Sequence, residues 1–177
     1  VSNWGTHLND IAQWANGSDY TGPVSVEGTG AFSEGLWDTI VEFKLQYSYP
    51  NGVSLEYEMG KKPGIEFQGE DGWIRAMYRG EVTASDPAIL REEKDAGDID
   101  LSGTLSDKED FLHAIRTGAE SLEPVEVGHR TVSLCQIGLI AIQLGRKLEW
   151  DPAAERFVND AEANALLDIP TRGDWLE

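Results

Sequence analysis

The chain has 177 residues, enough for one domain of ordinary size with a buried core. Apolar residues make up 40% and charged residues 26%, a composition that is typical of globular proteins and excludes a disordered chain. With 14 basic against 32 acidic residues the formal net charge is −18, which argues against nucleic acid and membrane surfaces as partners.

The chain opens without an initiator Met or a signal peptide, so we expect a fragment or a processed product. Its first pattern is helical: apolar residues recur at helical spacing over His7–Asn16, and Gly17 follows as a stop. From Pro23 to Tyr78 the period changes to two, which predicts strands.

Two long strands are predicted around a turn at Pro50-Asn51-Gly52, and they form an antiparallel hairpin with one apolar and one polar face. Two shorter strands follow, over Ile65–Phe67 and Trp73–Tyr78. The apolar face of the hairpin is predicted to carry Val41, Phe43, Leu45, Tyr47 and Tyr49 on the first strand and Val53, Leu55, Tyr57 and Met59 on the second.

The stretch Gly80–Ser106 is acidic and irregular, with a short strand predicted near Ile99–Leu101. Ser106-Asp107-Lys108-Glu109 fits a capping box, so a helix should begin there. We expect that helix to bury Phe111, Leu112 and Ile115.

The segment Gly128–Leu144 is apolar nearly all round in its second half, which predicts a central buried helix with Gly145 as its C-cap. A closing strand is predicted over Lys147–Trp150. Asn159-Asp160-Ala161-Glu162 fits a second capping box, for a short helix through Leu167. Helices that flank a run of strands, without βαβ alternation, predict an α+β domain with an open, mainly antiparallel sheet.

Few motifs in this chain point to chemistry. Gly28-Thr29-Gly30 lacks the third glycine of a dinucleotide loop and fits a strand end better. Three separated histidines and one cysteine give no metal-ligand spacing, and Cys135 is expected to be a buried, inert thiol. We therefore predict no metal site and no cofactor site within the chain.

The densest group of functional residue types is Asn3-Trp4-Gly5-Thr6-His7, followed by Asp10. On a helix beginning near Thr6, His7 and Asp10 are three residues apart, and the carboxylate could orient an imidazole that moves a proton. The structural interpretation is that Thr6 caps the helix, and that His7 and Asp10 are placed favourably near its positive end or are simply solvated. Trp4 is the tryptophan best placed to stack on a sugar ring.

His129 and Arg130 lie where the buried helix begins. A donor at a helix N-terminus could bind a polar substrate, but a capping or core-edge histidine is the competing interpretation. His113 is expected to be solvated on a surface helix.

The stretch Asn3-Trp4-Gly5-Thr6-His7 and six later stretches of the chain, taken in order, resemble a known family. It is a bacterial branch of the Gfo/Idh/MocA oxidoreductases (glucose–fructose oxidoreductase, inositol dehydrogenase, rhizopine catabolism). Asn3-Trp4-Gly5-Thr6-His7 resembles the family motif D-x-G-x-H, and His7 to Trp14 resembles the branch signature H-x-x-D-I-A-Q-W. The remaining stretches are Val26–Gly30, Gly69–Ile74, Asp110–Leu112, Glu126–Arg130, Leu144–Pro152 and Glu162–Leu167.

The resemblance implies that residues 1–177 form a single C-terminal domain for substrate binding and oligomerisation. It implies an open sheet with helices on one face, and a homo-oligomer formed through the other face. NAD or NADP would be held by an N-terminal Rossmann domain, which also supplies a catalytic lysine, so this chain alone should bind neither cofactor. The implied substrate is a small sugar or cyclitol alcohol.

By the same resemblance His7 is the catalytic histidine, and Asn3, Trp4, Asp10, His129 and Arg130 are substrate-binding candidates. Asn3 stands where the family usually has Asp, and an amide cannot accept a proton as a carboxylate can. Two hypotheses follow: the substrate domain of a working NAD(P)-dependent oxidoreductase, or a carbohydrate-binding or assembly module that no longer catalyses.

Overall fold

The structure is a computed structural model that describes residues 1–60, 62–91 and 106–168. Of these, the residues up to 60 and from 129 onward form one compact unit, and those between 62 and 128 form a second. A single domain over 1–177 stays a prediction. The elements are α1 (Ser2–Ala15), β1 (Ser25–Phe32), β2 (Ile40–Ser48), β3 (Ser54–Glu58), β4 (Gly64–Gln68), β5 (Trp73–Met77), β6 (Val82–Ala84), a 3₁₀ turn (Ile89–Arg91), α2 (Asp107–Thr117), α3 (Val125–Leu144), β7 (Leu148–Asp151), β8 (Arg156–Phe157) and α4 (Ala161–Ala165).

The first unit contains a five-stranded sheet in the order β3-β2-β1-β7-β8, in which every neighbouring pair is antiparallel. The predicted hairpin is confirmed as β2 and β3, with Leu45 opposite Tyr57 on the buried face. Val41 is an exception: the register shifts where β1 pairs with the start of β2, so Ile40 is buried and Val41 is exposed. Val53 and Met59 lie outside the strands and are also exposed.

Helix α3 covers the apolar face of this sheet, as its composition predicted. Leu134, Ile137 and Ala141 are buried in the same core as Leu45 and Tyr47 of β2. The Tyr47 hydroxyl donates to the Leu134 carbonyl over 3.1 Å, which satisfies the one polar atom on that side chain. The helix ends at Gly145 in the left-handed conformation (φ +64°), the predicted C-cap. The α+β prediction, with helices on one face of an open antiparallel sheet, is confirmed.

The opposite face of the same sheet is polar and exposed. It carries carboxylates on every long strand, and two lysines lie among them. Lys44 pairs with Glu56 over 3.2 Å and Lys147 with Glu149 over 3.6 Å. The side chains that define this face are Glu27, Thr29, Glu42, Lys44, Gln46, Ser54, Glu56, Glu58 and Glu149.

The second unit contains a three-stranded antiparallel sheet in the order β4-β5-β6. The predicted strands at Ile65–Phe67 and Trp73–Tyr78 are confirmed as β4 and β5. Strand β6 was not predicted, because the stretch Gly80–Ser106 was expected to be irregular. The short strand predicted near Ile99–Leu101 lies outside the described residues.

Helix α2 begins with the predicted capping box: Ser106 Oγ accepts from the Glu109 amide while the Glu109 carboxylate accepts from the Ser106 amide. The prediction for its buried side is wrong. Phe111 is 61% exposed and Ile115 65%, and Leu112 is exposed as well.

The cap of α4 also differs from the prediction. Asp160 and not Asn159 is the N-cap, and its carboxylate accepts from the Ala163 amide. Glu162, predicted to close a capping box, instead pairs with Arg146 over 2.9 Å. Arg146 is also bound to Asp160, so this arginine ties the end of α3 to the start of α4.

Candidate functional site

The site candidates of the first motif all lie on α1, which begins earlier than predicted. The helix starts at Ser2, with Val1 as an N-cap that makes no side-chain cap bond. The prediction that Thr6 caps the helix is therefore wrong: its hydroxyl donates to the Asn3 carbonyl (3.2 Å) inside the first turn. Asn3 and His7 are consequently four residues apart on one continuous helix, and their side chains share a face.

The face that α1 turns to the core is polar. Gly5, Asn9 and Gln13 recur every four residues and are its buried positions. The apolar residues of the helix lie mainly on the outside: Trp4 is 39% exposed, Ile11 40% and Trp14 45%. The helical spacing of apolar residues predicted the helix correctly. An amphipathic helix usually buries its apolar side, whereas α1 buries a polar side and exposes most of its large apolar residues.

Buried hydrogen bonds explain this inversion. The Asn9 side-chain amide contacts Cys135 Sγ on α3 (3.6 Å), and Gln13 Oε1 accepts from the Tyr49 hydroxyl (2.8 Å). At the start of the helix the Tyr57 hydroxyl donates to the Val1 carbonyl over 2.7 Å. Burial raises the pKa of Tyr57 to about 12 and also raises that of the Cys135 thiol, so both stay protonated near neutral pH.

The outer face of α1 carries Asn3, Trp4 and His7 together. The Trp4 and His7 rings are 5.8 Å apart between centroids and inclined at 56°. Asn3 is exposed one turn before His7. An amide, an indole and an imidazole on one exposed surface can hydrogen-bond a hydroxyl, pack on the C–H face of a ring and exchange a proton.

Asp10 is engaged elsewhere. Its Oδ1 accepts a hydrogen bond from Thr131 Oγ1 on α3 over 2.9 Å. The pKa of Asp19 is raised mainly by burial and, to a smaller extent, by the nearby charge of Asp10. The contact with Thr131 ties α1 to α3, so the carboxylate already has a structural partner.

His129 and Arg130 form a second group, around Glu155. His129 Nε2 lies 3.0 Å from the Glu155 carboxylate, and Arg130 Nη1 lies 2.9 Å from it. Arg130 also donates to the Pro152 carbonyl (2.7 Å). These contacts link the beginning of α3 to the turn after β7. The structure thus groups Asn3, Trp4 and His7 on one surface, while Asp10, His129 and Arg130 are engaged with other residues of the unit.

The stretch Gly28-Thr29-Gly30 is part of a strand and does not form a dinucleotide loop. Gly28 and Gly30 lie within β1, where an added Cβ would meet the Lys44 carbonyl (2.7 Å) or the Glu42 carbonyl (2.9 Å). These glycines therefore serve close strand packing and not phosphate binding. A groove of about 300 Å³ lies beside them, and each of its cations is paired with a carboxylate: Lys44 with Glu56, Arg146 with Asp160 and Glu162, and Lys147 with Glu149.

Two other classes of site are absent from the part of the chain that the structure describes. It holds no group of three side chains that could bind a metal ion. Among the same residues no helix has the length and apolarity needed to cross a bilayer.

Sequence reasoning missed Gly5, Asn9 and Gln13, which seat the helix. A glycine near the start of a helix is an available signal, since it costs about 1 kcal/mol relative to Ala and so indicates a packing need. Polar residues at spacing four from that glycine would then have indicated the buried side.

A family model described as "Oxidoreductase family, C-terminal alpha/beta domain" matches residues 1–177. No curated protein matches the chain. Among solved structures, aldose–aldose oxidoreductase from Caulobacter crescentus, complexed with glycerol, is similar with a TM-score of 0.58 and 14% identity, over 82% of this chain and 45% of that one.

A second solved structure is an oxidoreductase from Agrobacterium radiobacter in complex with NAD+, L-tartaric acid and magnesium. It has a TM-score of 0.52 and 16% identity, over 82% of this chain and 47% of that one. The chain therefore spans about half the length of these two structures, and at such identities the likeness shows the fold alone.

Proposed function

This chain belongs to the Gfo/Idh/MocA oxidoreductases, as the C-terminal alpha/beta domain of that family, and we propose that it is the substrate side of an NAD(P)-dependent enzyme that acts on a sugar or cyclitol alcohol. The observation that carries the proposal is the outer face of α1, where Asn3, Trp4 and His7 lie together and exposed. The two similar structures support it, because one is an aldose–aldose oxidoreductase and the other is complexed with NAD+.

His7 is the proposed catalytic residue. Oxidation of an alcohol requires the hydroxyl proton to leave, and a ring nitrogen of an exposed imidazole can take it. The Asn3 amide would hold the same hydroxyl by a hydrogen bond, and the Trp4 indole would pack on the C–H face of the ring. When bound, the nicotinamide supplies the chemistry of hydride acceptance.

The cofactor is proposed to lie on a separate nucleotide-binding domain, because the glycines that resemble a dinucleotide loop lie within β1 and serve strand packing. The exposed stripe of Trp4, Ile11 and Trp14 is the proposed contact surface for that domain. Exposed apolar stripes of this kind mark interaction sites, and this one passes directly beside His7. Titration of the 177-residue chain with NADH is expected to show no binding, and stoichiometric tight binding would contradict this division of labour.

We also propose a homo-oligomer through the open face of the five-stranded sheet. That face is lined with carboxylates, so the interface would be hydrated and would weaken as its acidic groups repel one another at low salt. Sedimentation at low and high salt tests it: association should strengthen with salt, and a monomer at both would refute it.

The alternative is a carbohydrate-binding or assembly module that no longer catalyses. Asn3 favours it, because an amide stands where the family usually has a carboxylate. The Asn3→Asp variant of the full-length protein separates the two. A gain in turnover would indicate a lost catalyst, whereas a loss would indicate that the amide belongs to a working site.

The experiment that tests the proposal is turnover of the full-length protein with NAD and NADP against a panel of aldoses and cyclitols. Formation of reduced nicotinamide with at least one substrate is expected. The control is the same panel with the 177-residue chain, which should form none. No turnover with any substrate in either direction, from a folded full-length protein that binds NAD or NADP, would refute the enzymatic function.

A further inference from the structure

The buried side of α1 is a continuous seam, defined here by Gly5, Asn9 and Gln13 on α1 and Cys135 on α3. We propose that this seam is a positioning device: the absence of a side chain at Gly5 lets α1 lie against Cys135, and this close approach sets where Asn3 and His7 point. The inference rests on the proposed function, since it concerns the placement of the same two residues.

The argument begins with the space at Gly5. A Cβ added there would lie 2.7 Å from Cys135 Sγ, a distance that real side chains essentially never show. Cys135 is only 1% exposed, so its Sγ atom cannot rotate into solvent. The two helices would therefore have to separate. The same Cβ would also lie 3.3 Å from a Tyr57 ring carbon and from the Asn9 amide, contacts that small adjustments relieve.

Polar contacts further along the seam determine the rotation of the helix. The Asn9 amide on Cys135 and Gln13 Oε1 on the Tyr49 hydroxyl are both buried. A purely apolar contact surface could turn or slide at little cost, whereas rotation here would leave buried polar groups unsatisfied. Gln13 Nε2 already lacks a hydrogen-bond partner among the described residues, so the loss of another buried hydrogen bond along the seam would be costly.

The consequence reaches the outer face because Asn3 and His7 flank Gly5 by two residues on either side. A shift of α1 by one ångström moves both side chains with it. Misplacement on that scale can cost about 100-fold in rate. Gly5 is therefore a positioning residue, which acts through His7 without touching substrate.

The test is a pair of variants and their combination: Gly5→Ala, Cys135→Ala and Gly5→Ala/Cys135→Ala. In the full-length protein Gly5→Ala should lower kcat by about 100-fold, and Cys135→Ala by no more than about threefold, because only a weak sulfur contact is lost. The double variant should regain most of the lost kcat, since the new methyl group then occupies the space of the sulfur. Gly128→Ala, another glycine of a helix but with open space around its Cβ, is the matched control and should leave kcat unchanged.

A second readout, which needs no activity, is taken on the 177-residue chain by NMR. Nuclear Overhauser effects between the Asn9 side-chain amide and the β-protons of residue 135 report how closely α1 is seated. They should weaken several-fold in Gly5→Ala and recover in the double variant. Persistence of these effects at full strength and of kcat in Gly5→Ala would overturn the proposal, as would a double variant no more active than Gly5→Ala.

The two readouts separate this proposal from the proposed function. If the unaltered full-length protein turns over no substrate, the proposed function fails, and the NMR series alone then decides the seam. If the protein is active and the NMR series shows no change, the seam fails while the function stands.

Discussion

Removal of the Tyr49 hydroxyl should loosen α1 more than its size suggests. In Tyr49→Phe the ring still fills its buried site, but Gln13 Oε1 loses the 2.8 Å bond and keeps only the 3.3 Å contact to the Ser18 hydroxyl. Gln13 is 1% exposed, so water cannot replace the lost donor. A buried acceptor left poorly satisfied costs on the order of 1–3 kcal/mol.

The chain offers a matched control in Tyr47→Phe. That hydroxyl donates to the Leu134 carbonyl, which lies inside α3 and therefore keeps its helical hydrogen bond when the tyrosine is changed. The loss should be nearer the net value of one hydrogen bond, about 1 kcal/mol. Both variants keep an aromatic ring in the core, so packing is the same in the two comparisons.

The assay is thermal and urea unfolding of the 177-residue chain, with hydrogen exchange of the α1 amides as a local readout. At about 2–4 °C per kcal/mol for a chain of this size, a loss of about 2 kcal/mol in Tyr49→Phe should lower Tm by about 4–8 °C. Faster exchange should be confined to α1. The double variant Tyr49→Phe/Gln13→Leu should recover most of the loss, because both polar partners are then gone. A Tyr49→Phe variant no less stable than Tyr47→Phe would refute the reasoning.

Three further predictions concern other parts of the fold. The Arg146 guanidinium lowers the pKa of Asp160 from 3.8 to about 2. The ion pair therefore stabilises the fold fully above pH 3.8, and this stabilisation is lost as the pH falls towards 2. Arg146→Gln should return the pKa of Asp160 towards 3.8 in an NMR titration, and an unchanged pKa would contradict the pairing. Gly30→Ala should destabilise the chain, because the new Cβ would lie 2.9 Å from the Glu42 carbonyl. Gly128→Ala should instead stabilise the chain by up to about 1 kcal/mol through helix propensity. A change of the same sign for both variants in urea unfolding would show the packing argument to be wrong. In thermal unfolding, Trp14→Glu should destabilise the full-length protein more than the 177-residue chain, because the indole, 45% exposed in this chain, would lose a contact with the second domain only in the full-length protein. Equal effects in both would remove the proposed domain contact.

Much of the fold follows from local patterns in the sequence. Alternation around Pro50-Asn51-Gly52 predicts the β2–β3 hairpin and its buried face, because a one-residue slip would expose every apolar side chain. The all-round apolar α3 and its cap at Gly145 follow from composition and backbone freedom. The prediction that Val41 lies on the apolar face was wrong, because the register shift that exposes it depends on the partner strand β1 and not on β2 alone.

The candidate site was only partly predictable. A motif resemblance placed Asn3, Trp4 and His7 together, and the helix puts them on one exposed face. The buried side of α1 could not be read from its apolar residues, because Asn9 and Gln13 face hydroxyl and thiol partners that lie far away in the sequence. In the same way α2 has a regular apolar pattern, but nothing local shows whether a partner element covers Phe111 and its neighbours.

The measurement that tests the central claim most directly is steady-state turnover of the full-length His7→Ala variant beside its cofactor affinity. Loss of a positioned proton acceptor should lower kcat by about 10²–10⁴-fold, while the Kd for NAD or NADP should change little because this chain is not proposed to hold the cofactor. Unchanged turnover in His7→Ala would contradict the account by removing the outer face of α1 from the reaction.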